Sequence, residues 1–324
     1  MSQEVNDMSA EEIAKKQQEN CIFCKIIKGD IPSHKVYEDE DFLAILDINP
    51  STKGHVLILP KTHVPITPLL QPEITAKLGR FVKIISSKLL KALNCKGTSV
   101  FVANGYVAGQ NAPHLIVHVI SRTASDEVNL NPKREEREGY DEVHKKIVET
   151  IGGNVESDVL MEDDDIIIVH PKKNVINGEL RIFVTNKYVI LEQVPDKLIE
   201  KIFQVTNKLS ALLFDKLGFQ GTNILIQNGE EAGQQEAQFS ISIIPRKEND
   251  GLNLKWEPKQ ANPNDLKEVI GLIESAENKI KEEEYIKSKQ EKLAKTEPKE
   301  DVVEAKKEEK EEDNYLARSL DRTP

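Results

Sequence analysis

Cysteine is scarce in this sequence. Three occur in 324 residues: Cys21, Cys24 and Cys95. So small and odd a number excludes a disulfide framework and points to a reducing compartment. Long apolar runs are missing too, since no stretch approaches the ~18 consecutive apolar residues of a membrane span. The opening segment, MSQEVNDMSAEEIAKKQQEN, has no apolar core of a secretory leader. A cytoplasmic protein is expected. A surplus of positive charge is also missing, with 44 Lys and Arg against 55 Asp and Glu. A net charge of −11 excludes general affinity for nucleic acid or an anionic membrane, although it allows a small basic pocket.

What is present has a clear order. FLAILDI (42–48) and HVLILP (55–60) are short apolar runs bounded by Gly and Pro, which predicts strands. PEITAKLGRFVKIISSKLLKAL (72–93) carries apolar residues at helical spacing, with Pro72 fit for a first turn. TSVFVAN (98–104) and HLIVHVIS (114–121) predict two more strands. The same order returns in DIIIVH (165–170), ELRIFVT (179–185), a helix over 195–218, TNILIQN (222–228) and QFSISIIPR (238–246).

The recurrence holds residue by residue. Gly54 and Gly178, Asn104 and Asn228, Gln110 and Gln234, and Arg122 and Arg246 are each separated by 124 positions. NGYVAGQ (104–110) answers NGEEAGQ (228–234). A constant separation is the mark of a tandem duplication. The organisation read from this is an N-terminal helix or extension (1–20), a first repeat (21–122), a polar linker (123–157) with a helix near 134–150, a degenerate second repeat (158–250) and a charged tail, helical or disordered (251–324). In the tail, PNDLKEVIGLIESAENKIKEEEYIKSKQEKL reads as helix with i,i+4 Glu/Lys partners. Tyr315, Leu316 and Leu320 near its end form either a frayed edge or a docking motif for a partner's groove.

The segment AGQNAPHLIVHVISR (108–122) holds the chemistry. On a strand, His114, Ile116 and His118 share one face, and Leu115, Val117 and Val119 the other. CIFC places Cys21 and Cys24 at the spacing of two zinc thiolates, with His63 and His114 available as partners. A Cys2His2 set would be closed and structural. Spacing alone leaves two reduced thiols and two unrelated histidines equally open. His34, His55, His144 and His170 read as surface or loop histidines, and His55, which follows Gly54 at a strand start, is also open to a structural role.

These residues resemble the histidine triad (HIT) family of nucleotide hydrolases and transferases. The likeness runs from CIFCKIIKGDIPSHKVYED through LDINPSTKGHVLILPKTH to NGYVAGQNAPHLIVHVISR, and more weakly over about 158–247. The family motif alternates three histidines with apolar residues. The resemblance implies that Cys21, Cys24, His63 and His114 hold Zn2+. It implies that Asp47 meets ribose hydroxyls, and that Asn104, Gln110, Asn111 and His118 line a phosphate pocket. Ile116 stands where the family has its nucleophile. Isoleucine has no lone pair and can neither attack phosphorus nor take a proton. His118, two residues along, is displaced by ~6.6 Å, too far for in-line attack from the family position. In the second repeat Gln238, Ser240 and Ser242 replace the triad and Lys187 replaces His63.

The expected fold is α+β. Two HIT-like repeats, each an antiparallel sheet with one main helix, pair within the chain as a pseudo-dimer. The expected function is binding of a purine nucleotide, or a related phosphate ligand, by a zinc-containing pseudoenzyme. The alternatives are a protein-interaction scaffold and a divergent hydrolase or nucleotidyltransferase using His118.

Overall fold

The computed structural model describes residues 16–137 and 139–276. The first repeat opens with helix α1 (Ile22–Lys28). Strands β1 (Lys35–Glu38), β2 (Phe42–Leu46) and β3 (Val56–Pro60) follow, then helix α2 (Pro72–Leu93) and strands β4 (Gly97–Asn104) and β5 (Val117–Arg122). The linker holds β6 (Glu135–Glu136) and α3 (Glu142–Ile151). The second repeat comprises β7 (Val159–Glu162), β8 (Ile166–Val169), β9 (Lys173–Asn174), β10 (Leu180–Val184), α4 (Asp196–Asp215), β11 (Gly221–Asn228) and β12 (Ser240–Arg246). Helix α5 (Pro263–Ala276) ends the described chain. None of the described helices is long and apolar enough to cross a membrane.

Ten strands form one sheet in the order β1-β2-β3-β5-β4-β11-β12-β10-β8-β7. Its two five-stranded halves join at the middle. There β4 and β11 run antiparallel, from Thr222 opposite Asn104 to Asn228 opposite Thr98. The tandem repeats therefore make an internal pseudo-dimer. Both main helices lie on one face of the sheet. Leu78, Phe81, Val82, Ile85 and Leu89 of α2 and Ile199, Ile202, Val205, Leu209 and Leu213 of α4 share a single core with Val117, Val119, Ile241 and Ile243. The helices also touch each other. A Cβ on Gly79 of α2 would stand 2.9 Å from a ring carbon of Phe203 and 3.0 Å from the Ile199 carbonyl oxygen of α4, so only glycine permits this approach.

A buried polar seam crosses the junction. Asn104 accepts from the Thr67 amide (2.9 Å) and donates to Thr67 Oγ1 (3.0 Å) and Thr222 Oγ1 (3.1 Å). Asn228 mirrors it, accepting from the Leu191 amide (2.8 Å) and donating to Thr98 Oγ1 (3.1 Å). Each buried amide is satisfied by groups from both repeats, and removing one partner would strand the other.

The repeats also exchange arms. Arg122 and Arg246 each clamp the aspartate four residues on, Asp126 and Asp250, and turn the chain outward. The first arm then crosses to the second repeat, where Arg134 reaches Glu179 and β6 pairs with β9. The second arm crosses back. The amides of Lys259 and Ala261 donate to the carbonyls of Pro50 (3.1 Å) and Ile48 (3.0 Å), and Trp256 settles on the first repeat.

Several sequence boundaries shift. The strand expected from residue 114 begins at Val117, because His114 sits in a bend. The linker helix starts at Glu142, where Asp141 caps it by accepting from the His144 amide. Strands β1 and β7 escape a pattern reading because each is four residues long and broken by a register shift. Of the expected tail helix, α5 lies within the described residues. Tyr315, Leu316 and Leu320 lie outside them.

Candidate functional site

Two clusters lie near β5 on the first repeat. In the first, Cys21 caps the start of α1, Cys24 follows in its first turn, His63 lies just beyond β3, and His114 just before β5. All four donor atoms lie within 4.8 Å of one another. His114 Nδ1 is 3.6 Å from both sulfurs and 3.3 Å from His63 Nδ1, and Cys24 Sγ is 3.2 Å from His63 Nδ1. A tetrahedral zinc with Zn–S of about 2.3 Å and Zn–N of about 2.0–2.1 Å sets S···N at about 3.5 Å and N···N at about 3.3 Å. The donors already have that spacing. His114 Nε2 meets the Pro60 carbonyl oxygen at 2.9 Å. A carbonyl only accepts, so the proton is on Nε2 and the Nδ1 lone pair faces the cluster. Burial holds His114 neutral, down to about 4, and lifts the Cys24 thiol to about 11. A cation is the missing charge that would favour two thiolates.

The second cluster is Asp47, His55 and His118. The Ser51 amide donates to His55 Nδ1 at 3.2 Å. A neutral His55 then carries its proton on Nε2, which lies 3.0 Å from His118 Nδ1. His118 is left with its own proton on Nε2. Burial pushes His118 down to about 4 and His55 well below its ordinary value, so both rings are neutral at pH 7. Asp47 Oδ1 accepts from the Asn49 amide (2.9 Å), and burial raises its pKa. The cluster holds three groups of ligand type. The hydrogen-bond polarity nevertheless commits the His55 lone pair to Ser51, which argues against a second metal. Trp256 lies edge-on to both rings, 5.3 Å from His55 and 5.0 Å from His118 between centroids. The sequence reads His55, His144 and His170 as surface or loop histidines, with a structural role also open for His55. All three are buried. Only His55 carries a local mark, Gly54 before it at a strand start; the partners of all three are remote in sequence.

Ile116 stands between the two clusters. It packs on an apolar patch of Leu43, Ile45, Leu57 and Leu59, beside Phe23, Ile26 and Ile27 of α1. The other sequence candidates are placed differently. Asn104 is wholly buried in the inter-repeat seam. Gln110 is used inside its own loop, accepting from the Gly105 amide and donating to the carbonyls of Pro65 and Ala112. Gln234 repeats that pattern in the second repeat. Asn111 is exposed.

A family model for the HIT domain matches residues 28–125 and again 152–249. The chain belongs to the HIT family. Among curated relatives, the adenylylsulfatase HINT3 of Arabidopsis thaliana is 41% identical over 109 residues, which is 34% of this chain and 55% of that protein. The chain thus spans about half the length of that relative. The adenosine 5'-monophosphoramidase hnt1 of Schizosaccharomyces pombe is 41% identical over 103 residues, 32% of this chain and 74% of its own length. Among solved structures, a Zn-bound histidine triad family protein from Mycobacterium smegmatis is 34% identical, with a TM-score of 0.32. That match covers 35% of this chain and 82% of that one.

Proposed function

We propose that the first repeat binds an adenylyl-type nucleotide without transferring it, on a module cross-linked by zinc. The observation that carries this reading is Ile116, packed among Leu43, Ile45, Leu57 and Leu59 at the position between His114 and His118. No side chain there can attack phosphorus. His118 is a poor substitute, because His55 donates to its Nδ1 and its Nε2 carries the proton. It offers an N–H to a phosphate oxygen and no lone pair to phosphorus. That polarity argues against a divergent hydrolase built on His118.

Binding groups remain around it. Asp47 offers a carboxylate for ribose hydroxyls, and Ile48 beside it is 61% exposed, an apolar surface fit for a base. Asn104 and Gln110 serve by shaping the loop rather than by touching the ligand. The relatives HINT3, an adenylylsulfatase, and hnt1, an adenosine 5'-monophosphoramidase, support an AMP-based ligand. Zinc at Cys21, Cys24, His63 and His114 would supply a structural cross-link tying α1 to β3 and β5.

Calorimetric titration with AMP tests the reading, alongside intact-mass analysis after incubation with adenosine 5'-phosphoramidate. The expected result is binding that Asp47→Ala weakens, no turnover and no adenylylated protein. Turnover by the unaltered chain, or no binding by a folded and metal-loaded sample, overturns it.

A further inference from the structure

The second repeat builds a different surface where the histidines were lost. Glu179 stands at the position of His55, Arg181 at that of Leu57, Ser240 at that of Ile116 and Ser242 at that of His118. The arm exchanged from the first repeat adds Arg134. Where the other arm brings an indole to its site, this one brings a guanidinium.

The bonds among these residues are specific. Arg134 Nη2 donates to Glu179 Oε1 (3.0 Å) and to Ser242 Oγ (3.2 Å). Arg181 grips the Glu236 carboxylate with two parallel bonds of 2.7 and 2.9 Å and donates to Ser240 Oγ at 3.1 Å. The two arginine side chains are 11% and 9% exposed. Both keep a buried Nε–H that has no acceptor among the described residues. Ser240 and Ser242 accept from the arginines, and neither gives its hydroxyl proton to a described partner. Two N–H and two O–H donors are thus left along one row of the sheet. Buried donors without acceptors call for a missing group. The group that accepts from arginine and serine together is an anion with several oxygens.

We propose that this row is a second ligand site, taking a tetrahedral oxyanion such as phosphate or the phosphate of a nucleotide. Glu236 is the internal competitor for it. The Glu236 carboxylate sits on Arg181 as a bound anion would, and its side chain is 39% exposed, so it can leave. Glu179 stays: it is wholly buried, and its second oxygen accepts from the Val175 amide at 2.6 Å. With Glu236 swung out, the Arg181 guanidinium is free to turn its unpaired Nε–H, with an Nη–H, and the Ser240 hydroxyl to a phosphate. The site stands apart from the nucleotide reading of the first repeat and survives its failure.

The test is titration of inorganic phosphate, and separately of AMP, into the full chain, followed by calorimetry and phosphorus NMR. Three variants accompany it. Glu236→Gln removes the competing charge and should tighten phosphate binding about tenfold, as a lost charge-assisted contact warrants. A folding defect cannot mimic that gain. Asp47→Ala, on the other repeat, should leave phosphate binding unchanged. The combined Arg181→Gln and Glu236→Gln chain keeps a neutral pair of similar size and should lose phosphate. In the Asp47→Ala chain, where the first repeat's site is weakened, AMP binding no tighter than phosphate marks the free ion as ligand, and tighter binding that Glu236→Gln strengthens further marks a nucleotide. The proposal falls if Glu236→Gln leaves affinity unchanged or lowers it. It also falls if Asp47→Ala abolishes phosphate binding, or if the double variant retains it.

Discussion

His55 Nε2 lies 3.0 Å from His118 Nδ1, and a single proton sits between the rings. Such a pair is content only when both rings are neutral. A second buried pair, His144 and His170, brings its Nδ1 atoms to 2.8 Å. Burial, with Arg137 nearby, pushes His170 down to about 3. An unfolded histidine titrates near 6.5, so as pH falls the unfolded chain takes up protons first. Stability is therefore full above about pH 6.5 and declines below it, down to the folded values. Each of His118 and His170 contributes roughly 1 kcal/mol per pH unit in that window. Urea unfolding at pH 7.5, 6 and 5 should show a falling midpoint. His170→Leu, which copies Leu46 of the first repeat, should make the fall shallower. A midpoint that holds steady from pH 7.5 to 5 contradicts this account.

Trp256 is the chain's one tryptophan, and its ring contacts His55, His118 and Phe101. Its fluorescence therefore reports on the first repeat's site alone. Ligand binding beside His118 should shift or quench the emission, and Asp47→Ala should move that response to higher ligand concentration. Trp256→Ala should lower stability by about 2 kcal/mol, less than for a fully buried aromatic, because the indole is half-buried. Emission that ignores AMP while calorimetry records binding would place the ligand away from this arm.

Much of this architecture was legible in the sequence for a simple reason. The 124-residue repeat is gapless from Gly54 to Arg122, and helical spacing from Ile74 to Leu89 matches the buried face of α2. The four zinc candidates could be named because CIFC is a local pattern and the family resemblance supplied its partners. What a pattern cannot carry is pairing across the chain. Asn104 looked like a pocket residue, yet its amide is spent on Thr67 and Thr222 at the junction. His55 could be read as a loop or a structural residue, and the choice rests on His118 and Trp256, which enclose it. Trp256 lies 138 positions beyond His118, and only the arm exchange brings them together. Arg134 sits in a stretch that reads as polar linker, and its burial depends on Glu179 from the other repeat.

Zinc should be present at about one per chain, because only the first repeat has the donors. Cys24→Ser should release it, and a chelator should do the same slowly, since Cys21, Cys24 and His114 are buried. Loss of the ion should lower the melting temperature by about 10 °C, the equivalent of a few kcal/mol in a domain of this size. The second repeat, with Lys187 and Gln238 at the matching positions, should bind none. Metal content far below one per chain in freshly purified protein, with no effect of chelator on melting, would remove zinc from the reading.

Ile116→His asks whether one residue separates this chain from catalysis. The new imidazole would stand between His114 and His118, facing Leu43, Ile45, Leu57 and Leu59. Its polar ring gives up apolar contact there, so a loss of about 1–2 kcal/mol in stability is expected. The gain is a lone pair at the position where phosphorus would be attacked, with the His118 N–H beside it to hold an oxygen. Turnover of adenosine 5'-phosphoramidate should rise above the unaltered chain by a factor on the order of 10²–10⁴. A protein adduct heavier by one adenylyl group should become trappable. If the variant folds and binds AMP yet stays inert, the loss of activity runs deeper than the nucleophile. The cause then lies in the phosphate contacts, where Gln110 is already committed to Pro65 and Ala112.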